Sequence, residues 1–169
     1  GFVSQRACVS CHHNSLAVVM LRMADRRGFK VDANVLDAVE SRTFRELRSA
    51  NAFDDAVQVA SLSDPTPNDS YLLMAARASG VQPDLTTGVY ARRIARWQRP
   101  DGHWITSDFR PPHSSSVFTA TATAVLAVQS YLPQESSADR ENTLRRARQW
   151  LIQSRPKSTE DAVFRLLGL

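Results

Sequence analysis

The sequence predicts an all-α fold, an arc of about three helical hairpins in which each hairpin has an inner and an outer helix. Three observations predict it: a repeat of about 52 residues that aligns Gly28 with Gly80, an apolar helix followed by a charged helix, and turn and capping residues at matching positions. With 169 residues and 43% apolar side chains, the chain is long enough to bury one core. We therefore predict a single domain over residues 1–169, alone or as part of a longer chain.

The first helix of each hairpin is predicted to be buried, because it is apolar on most of its circumference. These helices cover residues 16–23, 72–78 and 118–132. In the third of them, residues 118–124 alternate between threonine and apolar side chains, a pattern that also fits a strand. The apolar run continues to Val128 and is rich in alanine, so we predict a helix.

The second helix of each hairpin is predicted to be amphipathic and charged. In residues 140–153, Leu144, Ala147 and Leu151 fall on one face, while Glu141 and Arg145 form an i, i+4 pair on the other. The net charge is +4, and we expect the arginines at helical spacing to lie on solvated faces of this kind. These arginines include Arg92, Arg93, Arg96, Arg140, Arg145 and Arg146.

Glycine and aspartate mark the turn within each hairpin. Gly28 and Gly80 suit the left-handed residue that follows a helix, and Asp32 and Asp84 suit the N-cap of the next helix. Two stretches that contain prolines, residues 62–69 and 100–116, are predicted to be irregular. The second is long for a connection, which makes it a candidate for function.

The chain has two cysteines, and both belong to a Cys-x-x-Cys-His motif formed by Cys8, Cys11 and His12. This spacing is the attachment signature of c-type haem. Two thiols three residues apart can bond to the two vinyl groups of one porphyrin, and the next side chain supplies an imidazole to the iron. We therefore predict a covalent haem c with Cys8 and Cys11 as thioether tethers and His12 as the proximal axial ligand.

Three other roles remain open for these cysteines. A zinc site would need four ligands, which Cys8 and Cys11 could complete with histidines, including His103 and His113. A disulfide and a pair of inert thiols are the remaining alternatives. A thioredoxin-type dithiol is not expected, because that motif needs a βαβ context and no strand pattern precedes Cys8.

A second axial ligand would come from elsewhere in the chain. His113 and His103 flank the long irregular stretch, and we predict His113 or His103 as the distal ligand, in that order. Met20 and Met23 lie on the helix that follows the motif and are not expected to reach the opposite face of the porphyrin. An open position and a ligand from another chain also remain alternatives.

The segment from Gln98 to Trp104 resembles the Gln-Trp repeat of the squalene-hopene cyclase and protein prenyltransferase superfamily. In that family the fold is an α/α toroid of inner and outer helices, and the Gln and Trp side chains tie helix ends together. The resemblance implies that Gln98 and Trp104 are structural fasteners, that Asp101-Gly102 forms the turn between them, and that the three hairpins make a toroid-like arc.

The wider pattern is similar to bacterial proteins described as prenyltransferase or squalene oxidase repeat proteins. It combines the cysteine motif at the head of the repeat with a Phe109-Arg110-Pro111-Pro112 loop before Phe118. The chain departs from the enzymes of the superfamily, because the Asp-x-Asp-Asp run that starts cyclisation in hopene cyclases is absent. The zinc-binding Asp, Cys and His set of the prenyltransferases does not align either, so we do not expect either enzymatic activity in this chain.

We therefore predict an exported, periplasmic or extracellular monohaem c-type cytochrome that transfers electrons, since haem is attached to thiols outside the cytoplasm. Its expected partner is a redox protein, for which an acidic surface would suit the net charge of +4. Oligomers and larger complexes are left open, whereas nucleic acid and a transmembrane segment are not expected. The alternative is a toroid domain without haem that binds a lipid or isoprenoid or serves as an interaction scaffold.

Overall fold

A computed structural model describes residues 11–58, 64–107, 114–133 and 137–169, and all regular structure within these ranges is helical. The predicted all-α class is therefore confirmed. The described helices are α1 (Cys11–Arg26), α2 (Ala33–Thr43), α3 (Ala50–Val57), α4 (Pro65–Ala78), α5 (Leu85–Arg96), α6 (Val117–Tyr131), α7 (Ser137–Gln153) and α8 (Thr159–Gly168), with a 3₁₀ turn at Glu46–Arg48.

Four of these helices form a parallel layer in the order α1, α4, α6 and α8, each packed against the next. Their carboxyl ends meet, since Arg26 donates a hydrogen bond of 2.5 Å to the carbonyl of Ala78, and the Tyr131 hydroxyl donates one of 2.9 Å to the carbonyl of Val81. At the opposite end, Ser115 before α6 donates to Glu160 of α8. The parallel layer corresponds to the apolar helices that the repeat predicts, with α8 as an additional member.

The other helices pack against the parallel layer or, in the case of α3, against α5. Helix α2 packs against α1, α5 against α4 and α6, and α7 against α6 and α8, while α3 packs against α5. Leu151 and Ala147 of α7 are buried as predicted. The predicted pair of Glu141 and Arg145 is not formed, because the Arg145 guanidinium donates instead to Asn142 Oδ1 at 2.6 Å.

Helix α6 is the centre of the molecule. Eleven of its 15 residues are buried, and it contacts α4, α5, α7 and α8. Alanines let these neighbours approach closely, and the threonine hydroxyls find partners on the backbone, as Thr123 does by donating to the carbonyl of Thr119 at 2.9 Å. The segment that also fits a strand is thus helical, as predicted.

The predicted turns are confirmed in both described copies. Gly28 and Gly80 have positive φ angles of 81° and 74°, the left-handed conformation that ends a helix. Asp32 accepts a hydrogen bond of 2.8 Å from the amide of Asn34, and Asp84 accepts one of 2.8 Å from the amide of Thr87. These aspartates therefore cap α2 and α5.

The prediction of an irregular stretch over residues 62–69 is wrong for its described part beyond Asp64, because α4 already begins at Pro65. A proline in the first turn of a helix lacks only an amide that would have no partner within the helix, so it starts a helix rather than breaking it. The described part of residues 100–116 contains no helix before Ser116 and agrees with the prediction. Within the described ranges, no helix is both long and apolar enough to cross a membrane.

Candidate functional site

The amino ends of the parallel layer form a region that is polar although it is buried. We call it the polar end. Its buried members are Asn14, Ser15, Asp64, Thr66, Asp69, Ser70, Thr106, Ser114 and Thr119. Burying polar groups costs free energy unless they are hydrogen-bonded, so a concentration of them at one end of a core marks either a structural network or a binding site.

The cysteine motif leads into the polar end. Helix α1 begins at Cys11, with His12 as its next residue, and Asn14 and Ser15 in the same first turn are 3% and 1% exposed. Cys8 and His113 lie outside the described residues. The side chains of Asn14 and Ser15 are thus buried rather than exposed to water.

Two hydroxyl groups at the polar end are buried without a hydrogen-bond partner among the described residues, Ser15 Oγ on α1 and Ser70 Oγ on α4. These helices are neighbours in the parallel layer. A buried hydroxyl without a partner is unusual and calls for a bound group or water to complete it. Haem carries two carboxylates that accept such donors, so the chemistry of these hydroxyls fits the cofactor that the cysteine motif predicts.

Asp64 fastens the polar end to the long loop after α5. Thr106 donates a hydrogen bond of 2.5 Å to Asp64 Oδ2, and the amide of Ser107 donates one of 3.2 Å to Oδ1. These two hydrogen bonds therefore hold the start of α4 against the loop. They lie where the described part of that loop ends.

A carboxylate also links the starts of α6 and α8. Burial alone would raise the pKa of Asp161, but hydrogen bonds from Ser116 and from the amide of Lys157 outweigh it and hold the pKa below its usual value. Asp161 is therefore ionised at neutral pH and stays bonded to both segments.

An ion pair joins Asp69 of α4, a member of the polar end, to Arg93 of α5. Arg93 Nε and Nη2 donate to the two Asp69 oxygens at 2.6 and 2.7 Å, and the guanidinium carbon lies 5.0 Å from the centre of the Tyr90 ring. The prediction that Arg93 lies on a solvated face is wrong, because its side chain is 1% exposed. A charge can be buried here because a carboxylate faces it in bidentate geometry.

Gln98 and Trp104 are fasteners, as the resemblance implies. The Gln98 amide nitrogen donates to the carbonyls of Gly102 and of Thr143 on α7, at 2.8 and 2.9 Å. The fully buried Trp104 indole donates to the carbonyl of Ile94 at 2.7 Å. The loop is thus tied both to α5, which precedes it, and to α7.

The turn between these fasteners requires glycine. Gly102 has a φ of 107°, and a Cβ atom added there would lie 2.3 Å from the carbonyl oxygen of Arg146. Both the backbone conformation and the close approach of α7 exclude a larger residue. The predicted Asp101-Gly102 turn is confirmed, since the amide of Gly102 bonds to the carbonyl of Arg99 at 2.9 Å.

His103 is held by this turn and by α7. Its Nδ1 lies 2.6 Å from Asp101 Oδ1, and its ring stacks on Trp150 with centres 5.0 Å apart. Because an ionised carboxylate only accepts, Nδ1 is the donor in this hydrogen bond. These contacts hold His103 on the side of the molecule formed by α5 and α7, whereas α1 packs against α2 and α4. The role of His103 as a distal ligand therefore stays a prediction.

The apolar side chains that could have lined a lipid cavity are mostly core. Phe118, Tyr131, Leu72 and Leu73 are all at most 5% exposed. Met20 and Met23 of α1 are instead on the surface, at 69% and 47% exposure. The four buried side chains therefore fill the interior rather than enclose a ligand.

The interactions of Asp64, Asp69 and Arg93 could not be found in the sequence. The residues of these pairs lie 42 and 24 positions apart, with no motif that joins them. The single signal is the Asp64-Pro65 dipeptide, which is typical of a helix start. No protein-family profile, no curated protein and no solved structure matched this chain.

Proposed function

We propose that this chain is a monohaem c-type cytochrome that transfers electrons, exported to the periplasm or the cell exterior. The observation that carries the proposal is the position of the motif. Helix α1 begins at Cys11, so His12 lies in its first turn, and that turn enters the buried polar end. A zinc or redox motif on a surface loop would not need such a setting.

We further propose that the helices form a toroid-like arc, with the parallel layer inside and α2, α5 and α7 outside. The order of contacts in the parallel layer supports this, because the main contacts within the layer run from α1 to α4, from α4 to α6 and from α6 to α8. The fasteners Gln98 and Trp104 support it as well, since they tie the loop after α5 to α7 and to the last turns of α5.

In the proposed site, Cys8 and Cys11 hold the haem through thioether bonds and His12 binds the iron. The haem would supply one-electron transfer, because its iron alternates between two oxidation states. His12 lies in the first turn of α1, and α1 packs on α4. Ser15 and Ser70 offer hydroxyl donors to the carboxylates of the group.

Between the two candidates for the distal position, we favour His113. The ring of His103 already stacks on Trp150 and bonds to Asp101. His113 immediately precedes Ser114, which is buried near the start of α6 and so belongs to the polar end. His113 is thus the candidate that is adjacent in the sequence to a buried residue of the polar end.

The test is expression with a haem-maturation system, followed by intact mass and a pyridine haemochrome spectrum. We expect one covalent haem, lost in the double variant Cys8→Ala/Cys11→Ala. His12→Ala should keep the thioether mass but change the Soret band, and His113→Ala should change the spectrum more than the control His103→Ala. An unmodified mass with bound zinc, or a disulfide, would overturn the proposal.

A lipid- or isoprenoid-binding domain without haem is the alternative outcome of the same experiment. It would show a lipid adduct in native mass spectrometry and no Soret band. The burial of Leu72, Leu73 and Phe118 in the core does not favour it.

A further inference from the structure

A groove runs between α5 and α7 on the side of the molecule away from the parallel layer's polar end. Both helices pack on α6, and the carboxyl end of α6, residues 129–132, lies between them. Two adjoining clefts form the groove, with volumes of about 560 and 420 Å³. Arg92 and Leu132 line both clefts, so they are parts of one surface.

The walls of the groove are basic. Helix α5 contributes Arg92 and Arg96, and α7 contributes Arg140 and Arg146. Among the described lining residues the carboxylates are Asp84 and Asp139, and Asp84 is occupied in capping α5. The groove therefore carries an excess of positive charge that nothing in the described chain neutralises.

Two of these arginines are fixed in place, and two are available. Arg140 donates to the carbonyl of Gln129 at 2.6 Å and Arg146 donates to Gln98 Oε1. The Nε atoms of both are buried and have no hydrogen-bond partner within the part of the chain that the structure describes. Arg92 and Arg96 are exposed and have no hydrogen bond or ion pair with the described residues. Fixed donors beside mobile cations are what an anionic ligand needs.

We propose that this groove binds an extended acidic peptide of a partner protein. Arg92 and Arg96 are one helical turn apart, about 6 Å along the axis. Alternate residues of an extended strand are about 6.6 Å apart. Carboxylates at positions i and i+2 of a strand that lies along α5 therefore match the spacing of the two arginines.

The lining of the groove favours a peptide over a nucleic acid. Leu85, which is 73% exposed, and Val89 and Pro133 provide apolar contacts for the side chains between the carboxylates. Tyr131 is the aromatic residue among those that line the two clefts, and its hydroxyl is engaged with Val81. Stacking platforms for bases are therefore missing from the described lining.

This proposal does not depend on haem. The groove lies at the carboxyl ends of α4 and α6, where Pro83 and Tyr131 line it, whereas the cysteine motif leads into the amino end of α1. The binding of a peptide can therefore be tested on the protein with or without the cofactor, and each proposal can fail alone.

The test is fluorescence anisotropy with a labelled eight-residue peptide that alternates Glu and Ala, at low and at physiological salt. We expect saturable binding that weakens with salt, and no binding of the same peptide with Gln in place of Glu. The double variant Arg92→Ala/Arg96→Ala should bind at least about fivefold more weakly, as expected for two exposed charge contacts.

The matched control is Arg145→Ala/Arg148→Ala, which removes two exposed arginines from α7 that do not line either cleft. It has the same net charge as the groove variant and should bind like the wild type. Equal loss in both double variants would show unspecific charge attraction and overturn the proposal. Binding of tripolyphosphate at the groove without binding of the peptide would also overturn it.

Discussion

Asp69 and Arg93 form a bidentate ion pair in which both side chains are 1% exposed. It joins α4 of the parallel layer to α5, which forms one wall of the basic groove. Removing both charges from water is costly, and the pair offsets that cost only while both partners are present. The pair thus holds α5 against the layer, and the loss of either partner removes the stabilisation that the pair provides.

We expect Asp69→Asn to lower the free energy of unfolding by about 3 kcal/mol or more, because it leaves Arg93 charged and buried without its partner. Urea denaturation followed by circular dichroism would measure the change. The matched control is Glu40→Gln, which breaks the half-buried ion pair of Glu40 with Arg22 and should cost about 1 kcal/mol or less. Similar losses in the two variants would contradict the special role of the buried pair.

Two glycines with positive φ should respond differently to alanine. Gly102→Ala should cost about 3 kcal/mol or more, because the new Cβ meets the backbone of Arg146 in addition to the strain of the conformation. Gly28→Ala should cost only about 1 kcal/mol, since nothing lies within 4 Å of a Cβ there. Thermal denaturation of both variants tests the difference, and equal costs would mean that α7 moves away from the turn.

Acid should destabilise the protein partly through Glu40. Burial alone would raise the pKa of Glu40, but hydrogen bonds from Arg22 and Ser79 outweigh it and hold the pKa below 4.5. Because the folded pKa is the lower one, the stabilisation is present above the unfolded pKa and is lost as pH falls through the folded pKa. Urea midpoints of wild type and Glu40→Gln should therefore converge as the pH falls below 4.5; parallel curves would refute the assignment.

Alkali should act through Tyr131, whose pKa burial raises from 10.0 to about 12. The folded pKa is the higher one, so the contribution of the neutral phenol persists below pH 10 and declines as pH rises through about 12. Tyr131→Phe should be less stable at neutral pH, because the hydrogen bond to Val81 is lost. Its deficit relative to wild type should narrow above pH 10, and a constant deficit would argue against the raised pKa.

The features that the sequence predicts are those encoded by neighbouring residues. Gly28 and Asp32 define a turn within five positions, and the Gln98-to-Trp104 segment contains its own fastener residues. The helix α6 follows from an unbroken apolar run that is too long for a strand. Local signals of this kind survive folding because they act through the backbone of the same segment.

The features that the sequence does not predict depend on residues brought together by the tertiary structure. Arg93 looks like any other arginine of an amphipathic helix until Asp69 faces it. In the sequence, the prolines of α4 fit an irregular stretch as well as a helix start. The structure decides between the two, because the four residues before Asp69 are helical. Helix α8 is short and follows no repeat signal, so its place beside α6 had no counterpart in the pattern.

The burial of α6 on nearly every side should slow the hydrogen exchange of its backbone amides. Four other helices pack against α6 and cover its amide protons. These protons would reach solvent only if those helices separated from α6. Hydrogen exchange along α6 should therefore occur only through unfolding of the whole domain. The slowest protons in the chain would then report its global stability directly.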